Sequence, residues 1–236
     1  AYSWGIYGTH PYVLLNFHGT LDHVFTLAHE MGHAIHSYYS DHSQNYTDAG
    51  YKIFVAEVAS TCNETLLIQH LLEKTQDKKE KKYLINHFLE SFRATLFRQT
   101  MFAEFEAMAH EKTEAGETLT AQELCRIYHQ LNVDYFGPKM QVDEEIDCEW
   151  ERIPHFYTPF YVYQYATGFS AAVAIASRIK AGDQKTLEGY RKFLQGGCTL
   201  APIELLKLAG VDMAKPEPVE AAMKVFEELL EEFERL

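Results

Sequence analysis

His29 and His33 stand four residues apart, with Glu30 directly after the first, in the run His29-Glu30-Met31-Gly32-His33. Residues four apart on a helix share a face, so both imidazoles can be aimed at one ion. Imidazole is a preferred donor for Zn²⁺. A carboxylate within hydrogen-bond reach of a water on that ion can take its proton as the water attacks a carbonyl. The pattern is that of zinc peptidases, with Glu30 as the general base activating a zinc-bound water.

A catalytic zinc takes three protein ligands and keeps one position open. The metzincin extension is not met: it asks for a glycine and a third histidine where this chain has His36 and Tyr39. His36 is too close in sequence to His33 to join the pair and reads as a packed or supporting histidine. A glutamate on a following helix is the other common solution. Glu57, in Phe54-Val55-Ala56-Glu57-Val58, is an acid among apolar residues. An unpaired carboxylate is costly there, and a bound cation offsets that cost. Glu64 lies two turns further on the same face and could hydrogen-bond a ligating histidine, or be an ordinary surface glutamate. One zinc per chain, held by His29, His33 and Glu57, is the expectation; a purely structural site would instead use four Cys or His ligands.

These side chains need rigid elements under them. From 21 to about 40, Leu21, Phe25, Ala28, Met31, Gly32 and Ile35 recur at helical spacing, with the motif in the middle. A second helix is expected over 52–73, although its β-branched opening could begin as a strand. The charged run 74–82 reads as a solvated turn, and 83–114 as one long helix. Shorter helices are expected near 120–136, 160–181, 184–194, 202–208 and 217–236. Before the motif, 12–17 is β-like and ends in the turn His18-Gly19-Thr20. The acidic run 143–151 reads as a solvated loop or helix face.

The 236 residues are long enough for a sizeable core, and 21 Lys and Arg against 34 Asp and Glu give a net charge of −13. That field opposes nucleic acid and anionic membranes. The charge-free stretch 160–177 is interrupted by Gln, Thr and Tyr, unlike a bilayer span. Cys62, Cys125, Cys148 and Cys198 have neither scaffold spacing nor scaffold density, so reduced thiols in a cytoplasmic protein are expected. The opening Ala1-Tyr2-Ser3-Trp4-Gly5 has no leader features and reads as the interior of a longer chain.

Four segments together carry a resemblance: Ala1-Tyr2-Ser3-Trp4-Gly5, Pro11-Tyr12-Val13-Leu14-Leu15-Asn16-Phe17, Thr26-Leu27-Ala28-His29-Glu30-Met31-Gly32-His33, and Pro159-Phe160-Tyr161-Val162-Tyr163-Gln164-Tyr165-Ala166-Thr167-Gly168. Over essentially its whole length the chain resembles the C-terminal catalytic part of the oligoendopeptidase F family, related to thimet oligopeptidase and neurolysin. The resemblance implies a mainly α, zincin-type catalytic domain over 1–236, with a small β element before the zinc helix. Within it, 21–75 would be the zinc-site helix pair and 76–236 a channel wall carrying a Tyr-rich loop at 155–168, while the position of 1–20 just before the zinc helix makes it either an extended substrate-edge segment or a structural hairpin.

It implies the same ligands and base, and hydrolysis of short unfolded oligopeptides selected by length in a channel. A missing N-terminal half would wall that channel. By the same match, His155, Tyr161 and Tyr165 would donate hydrogen bonds to the tetrahedral intermediate. Gly168 stands where the thimet branch extends its tyrosine run, and one extra residue follows His155, which leaves Tyr161 and Tyr163 as alternatives. A zinc carboxypeptidase with the same motif and an inactive peptide-binding homologue are the competing readings.

Overall fold

Nine α-helices and one two-stranded sheet make up the computed structural model, which describes residues 1–236. β1 (Tyr2–Trp4) and β2 (Tyr12–Leu14) pair antiparallel with Ser3 opposite Val13. Only three residues of the β-like run 12–17 are therefore strand, and their partner is a segment whose Gly- and Tyr-rich composition gave no strand signal. The hairpin lies against α1 (Leu21–Ser43), where Tyr7 donates to the Gln44 carbonyl at 3.0 Å.

Thr20 opens α1 by accepting the His23 N–H on its hydroxyl, which satisfies one of the donors left over at a helix start. The face that turns inward carries Phe25, Glu30, Gly32, Ala34, His36 and Ser40. α2 (Ile53–Lys74) is helical from its β-branched start. Val55, Val58, Ala59 and Cys62 are buried at helical spacing, and that burial outweighs a modest propensity penalty. The run 74–82 is a turn only at its beginning, a correction to the sequence reading. Asp77 accepts the N–H groups of Lys79 and Glu80 and α3 (Lys78–Phe92) starts there.

A five-residue π-helical segment (Arg93–Phe97) follows α3 directly and leads into α4 (Arg98–Glu114), so the expected long helix carries a π-bulge. The remaining helices are α5 (Ala121–Phe136), α6 (Tyr163–Lys180), α7 (Gln184–Leu194), α8 (Pro202–Leu208) and α9 (Glu217–Arg235), close to the predicted spans.

The chain divides into two compact units, 1–91 with 167–236, and 92–166. In the first, Val58, Ala59 and Cys62 of α2 pack with Ala171, Ala172 and Ile175 of α6 and with Phe193, Leu205 and Leu206. In the second, Met101, Phe102 and Phe105 of α4 pack with Ile127, Tyr128 and Leu131 of α5 and with Ile153 and Val162.

The acidic run is a 3₁₀ helix (Glu144–Arg152). Most of its acids are solvated, but Glu149 is buried, against the sequence reading. It accepts from Tyr128 Oη at 2.6 Å and pairs with Arg98 at 2.5 Å and with Arg152. Charge-assisted bonds of this kind let a carboxylate stay in an apolar core. All four cysteines are free thiols. Cys62 is fully buried and burial pushes its thiol up to about 12, whereas Cys125 and Cys148, 23 residues apart in sequence, come within 3.7 Å at sulfur.

Candidate metal centre

The α1–α2 crossing builds the site. A Cβ on Gly32 would sit 2.5 Å from the Ser60 Cα and 2.8 Å from the Ala59 carbonyl oxygen, so only glycine permits this approach. Asn63 of α2 donates to the Ala28 carbonyl of α1 at 2.6 Å, which sets the register of the two helices. Between these two contacts the polar ends converge.

His29 Nε2 and His33 Nε2 are 3.2 Å apart, and Glu57 Oε2 lies 3.4 Å from the first and 3.7 Å from the second. A tetrahedral zinc with nitrogen and oxygen ligands at about 2.0–2.1 Å separates neighbouring donors by roughly 3.4 Å. The three distances bracket that value, and the donor set of two imidazoles and one carboxylate is one zinc accepts. The three ligand atoms form the one His/Cys/Asp/Glu group close enough to share an ion.

Supporting contacts hold His29 and Glu57. Glu64 Oε1 lies 3.3 Å from His29 Nδ1, placed to accept an Nδ1–H and so to favour, in the neutral ring, the tautomer with its lone pair on Nε2. Ser60 donates its hydroxyl proton within the pair of acceptors Glu57 Oε2, at 3.1 Å, and the Glu57 carbonyl, at 3.0 Å. A Cβ added at Gly168 of α6 would meet the Glu57 Cβ at 3.5 Å, an ordinary contact distance. Burial disfavours charge on His29, but Glu64 at Nδ1, with Glu57 and Glu30 beyond, raises its pKa above the usual value. His33 is lowered by burial and by the His29 charge, against the pull of Glu57. Glu30 is 8% exposed and near enough to both histidines to act on their protonation.

His36 belongs to the core and stays out of the metal group. It is fully buried and stacked on Tyr51 with ring centroids 3.7 Å apart, and both of its ring nitrogens lack a hydrogen-bond partner. Burial, aided by the nearby His33, pushes its pKa down to about 3.

In the second unit, His155, Tyr161 and Tyr165 form a cluster. Tyr165 Oη lies 3.4 Å from His155 Nε2. The Tyr161 ring stacks on His155 at 5.7 Å and meets Tyr165 edge-on at 5.5 Å. Tyr163 is 41% exposed. Ser60, Asn63 and Glu106, described below, were not singled out by the sequence reading. The first two carry the signal of facing a four-residue-spaced motif across a glycine.

Residues 1–225 match the family model for peptidase family M3. The oligopeptidase PepF of Bacillus subtilis is 54% identical over 236 residues, covering 100% of this chain and 35% of that protein. The chromosomal oligoendopeptidase F of Lactococcus lactis subsp. cremoris is 47% identical, covering 100% of this chain and 39% of its own length. The solved oligoendopeptidase-F of Enterococcus faecium superposes with a TM-score of 0.82 at 46% identity, over 91% of this chain and 39% of that one. The chain thus spans little more than a third of the relatives it matches. No helix is long and apolar enough to cross a membrane. With its two histidines and two glutamates in place on the α1–α2 crossing and a family match running nearly end to end, the chain belongs to peptidase family M3.

Proposed function

We propose that this chain is the catalytic part of a zinc endopeptidase that hydrolyses short unfolded oligopeptides. The observation that carries the reading is the donor triangle of His29, His33 and Glu57 with Glu30 buried beside it. Zinc, when bound, supplies a Lewis acid and brings the pKa of a coordinated water toward neutrality. Glu30 takes the proton of the attacking water and returns it to the leaving amine. Glu64 holds His29 in the tautomer that presents Nε2. We assign His155, Tyr161 and Tyr165 to hydrogen bonding of the oxyanion, where donors act on charge that exists only in the transition state.

The two-stranded sheet leaves an edge on β2 that can pair with an extended peptide backbone, a common way of holding a substrate without reading its side chains. Selection by length then belongs to a channel completed by the further residues of the longer protein. Along α1, Val24, Leu27, Met31 and Ile35 stay exposed at one-turn spacing, an apolar face suited to being covered by such residues. Four cysteines without scaffold spacing fit a reducing, cytoplasmic setting.

The test is cleavage of internally quenched oligopeptides by the zinc-loaded full-length protein, with free and amidated C-termini. Internal cleavage of both forms, lost on chelation and restored by zinc, is expected. Cleavage restricted to free C-termini would make it a carboxypeptidase. Tight peptide binding with no cleavage would make it an inactive homologue.

A further inference from the structure

Phe160 is the one non-glycine residue with positive φ, at 57°. It follows Pro159, and a Pro followed by a left-handed residue is a turn that normally places Gly or Asn second. A Cβ-bearing aromatic there is disfavoured, so the conformation must be held from outside.

Two side chains of α4 hold it. The Phe160 N–H donates to Glu106 Oε1 at 2.7 Å, and the Phe160 ring lies on the His110 ring with centroids 4.8 Å apart. Glu106 and His110 are one helical turn apart, so both reach the same place. Glu106 is 5% exposed, on the packed face that also buries Met101, Phe102 and Phe105. A carboxylate in that position needs a donor, and a backbone N–H gives a charge-assisted bond. On the other side of Tyr161, Val162 is 1% exposed and sits in the core of the same unit. Tyr161 is thus bracketed by an anchored backbone before it and a buried side chain after it.

We infer that Glu106 is a positioning residue for the reaction: its carboxylate fixes the left-handed turn at Phe160 and so aims the Tyr161 hydroxyl. The inference rests on the oxyanion role assigned to Tyr161 above. Glu106 touches no reacting atom; it acts through the Phe160 amide. What it supplies is pre-organisation of a short turn that its own sequence disfavours, and small misplacements of a transition-state donor are expensive in rate.

The experiment compares kcat, KM, zinc content and thermal melting of the zinc-loaded full-length protein carrying Glu106→Ala, Glu106→Gln, Tyr161→Phe and the pair Glu106→Ala with Phe160→Gly. Glu106→Ala should lower kcat by about 10- to 100-fold at unchanged KM and zinc content. Glu106→Gln keeps an acceptor oxygen and should stay within a few-fold of wild type. The pair should recover most of the lost kcat, because glycine adopts the positive φ without help. A mere loss of structure would not be rescued by adding a glycine. If Glu106→Ala does not fold, the kcat of Glu106→Gln against wild type at equal zinc content decides. A Glu106→Gln as damaged as any larger change, or a pair no better than the single variant, overturns the inference. Tyr161→Phe separates the two levels. If it keeps full kcat, the oxyanion reading fails; if it loses kcat while Glu106→Ala does not, only the positioning role fails.

Discussion

The metal group of the first unit and the His155–Tyr161–Tyr165 cluster of the second are assembled in opposite ways. Every side chain of the first sits inside a helix of more than twenty residues, and the helices are locked by a glycine contact and a cross-helix hydrogen bond. The second rests on a four-residue 3₁₀ helix (Pro154–Tyr157), a turn with a positive-φ phenylalanine, and the first turn of α6. Its histidine is exposed and its tyrosines half-buried. Metal binding needs donors fixed to a few tenths of an ångström before anything arrives, which helices provide. Donors that meet a transient oxyanion can sit on short segments, provided a rigid neighbour pins them.

The contrast predicts a separation of phenotypes. Tyr161→Phe should lower kcat by about 10²–10³-fold and leave zinc content and melting temperature unchanged, as read by steady-state kinetics and elemental analysis. A parallel loss of zinc would break the separation. On the helical side, Gly32→Ala drives a methyl into the Ser60 backbone and should destabilise by about 1–3 kcal/mol while weakening zinc, measured by urea unfolding with and without metal. If the variant melts like wild type and holds its zinc, the close crossing is not what positions Glu57. Glu64→Gln should weaken zinc by about 10- to 100-fold in competition with a chelator of known affinity, with little change in apo-protein stability.

The smallest effect lies at His36. Its pKa is depressed to about 3 in the fold against an ordinary 6.5. Below pH 6.5 the unfolded chain therefore binds a proton that the folded chain does not, and stability falls with acid until the folded value is reached. His36→Phe preserves the stack on Tyr51 and removes that proton. It should retain about 1 kcal/mol more stability than wild type on going from pH 6.5 to 5.5. Equal acid slopes for the two proteins would mean His36 finds a partner in solution.

What could be read from the chain follows the same division. The helix over α1 was legible because its period and the four-residue histidine spacing agree, and Glu57 stood out as an acid among apolar neighbours. The π-bulge at Arg93–Phe97 was not, since nothing in Arg93-Ala94-Thr95-Leu96-Phe97 distinguishes it from ordinary helix. β1 is three residues long and shows its nature only through its pairing with β2. Glu149 hid in a run of acids, because its burial depends on Arg98 and Tyr128, which are far away in sequence. Phe160 gave no turn signal without a glycine. Glu106 had one: it falls on the period of Met101, Phe102 and Phe105, where an acid must find a donor.

In the proposed mechanism Glu30 carries the proton of the attacking water. Turnover of a quenched oligopeptide by Glu30→Gln in the zinc-loaded full-length protein should fall by about 10²–10⁴-fold with one zinc still bound. Turnover within a few-fold of wild type at full zinc occupancy would contradict it.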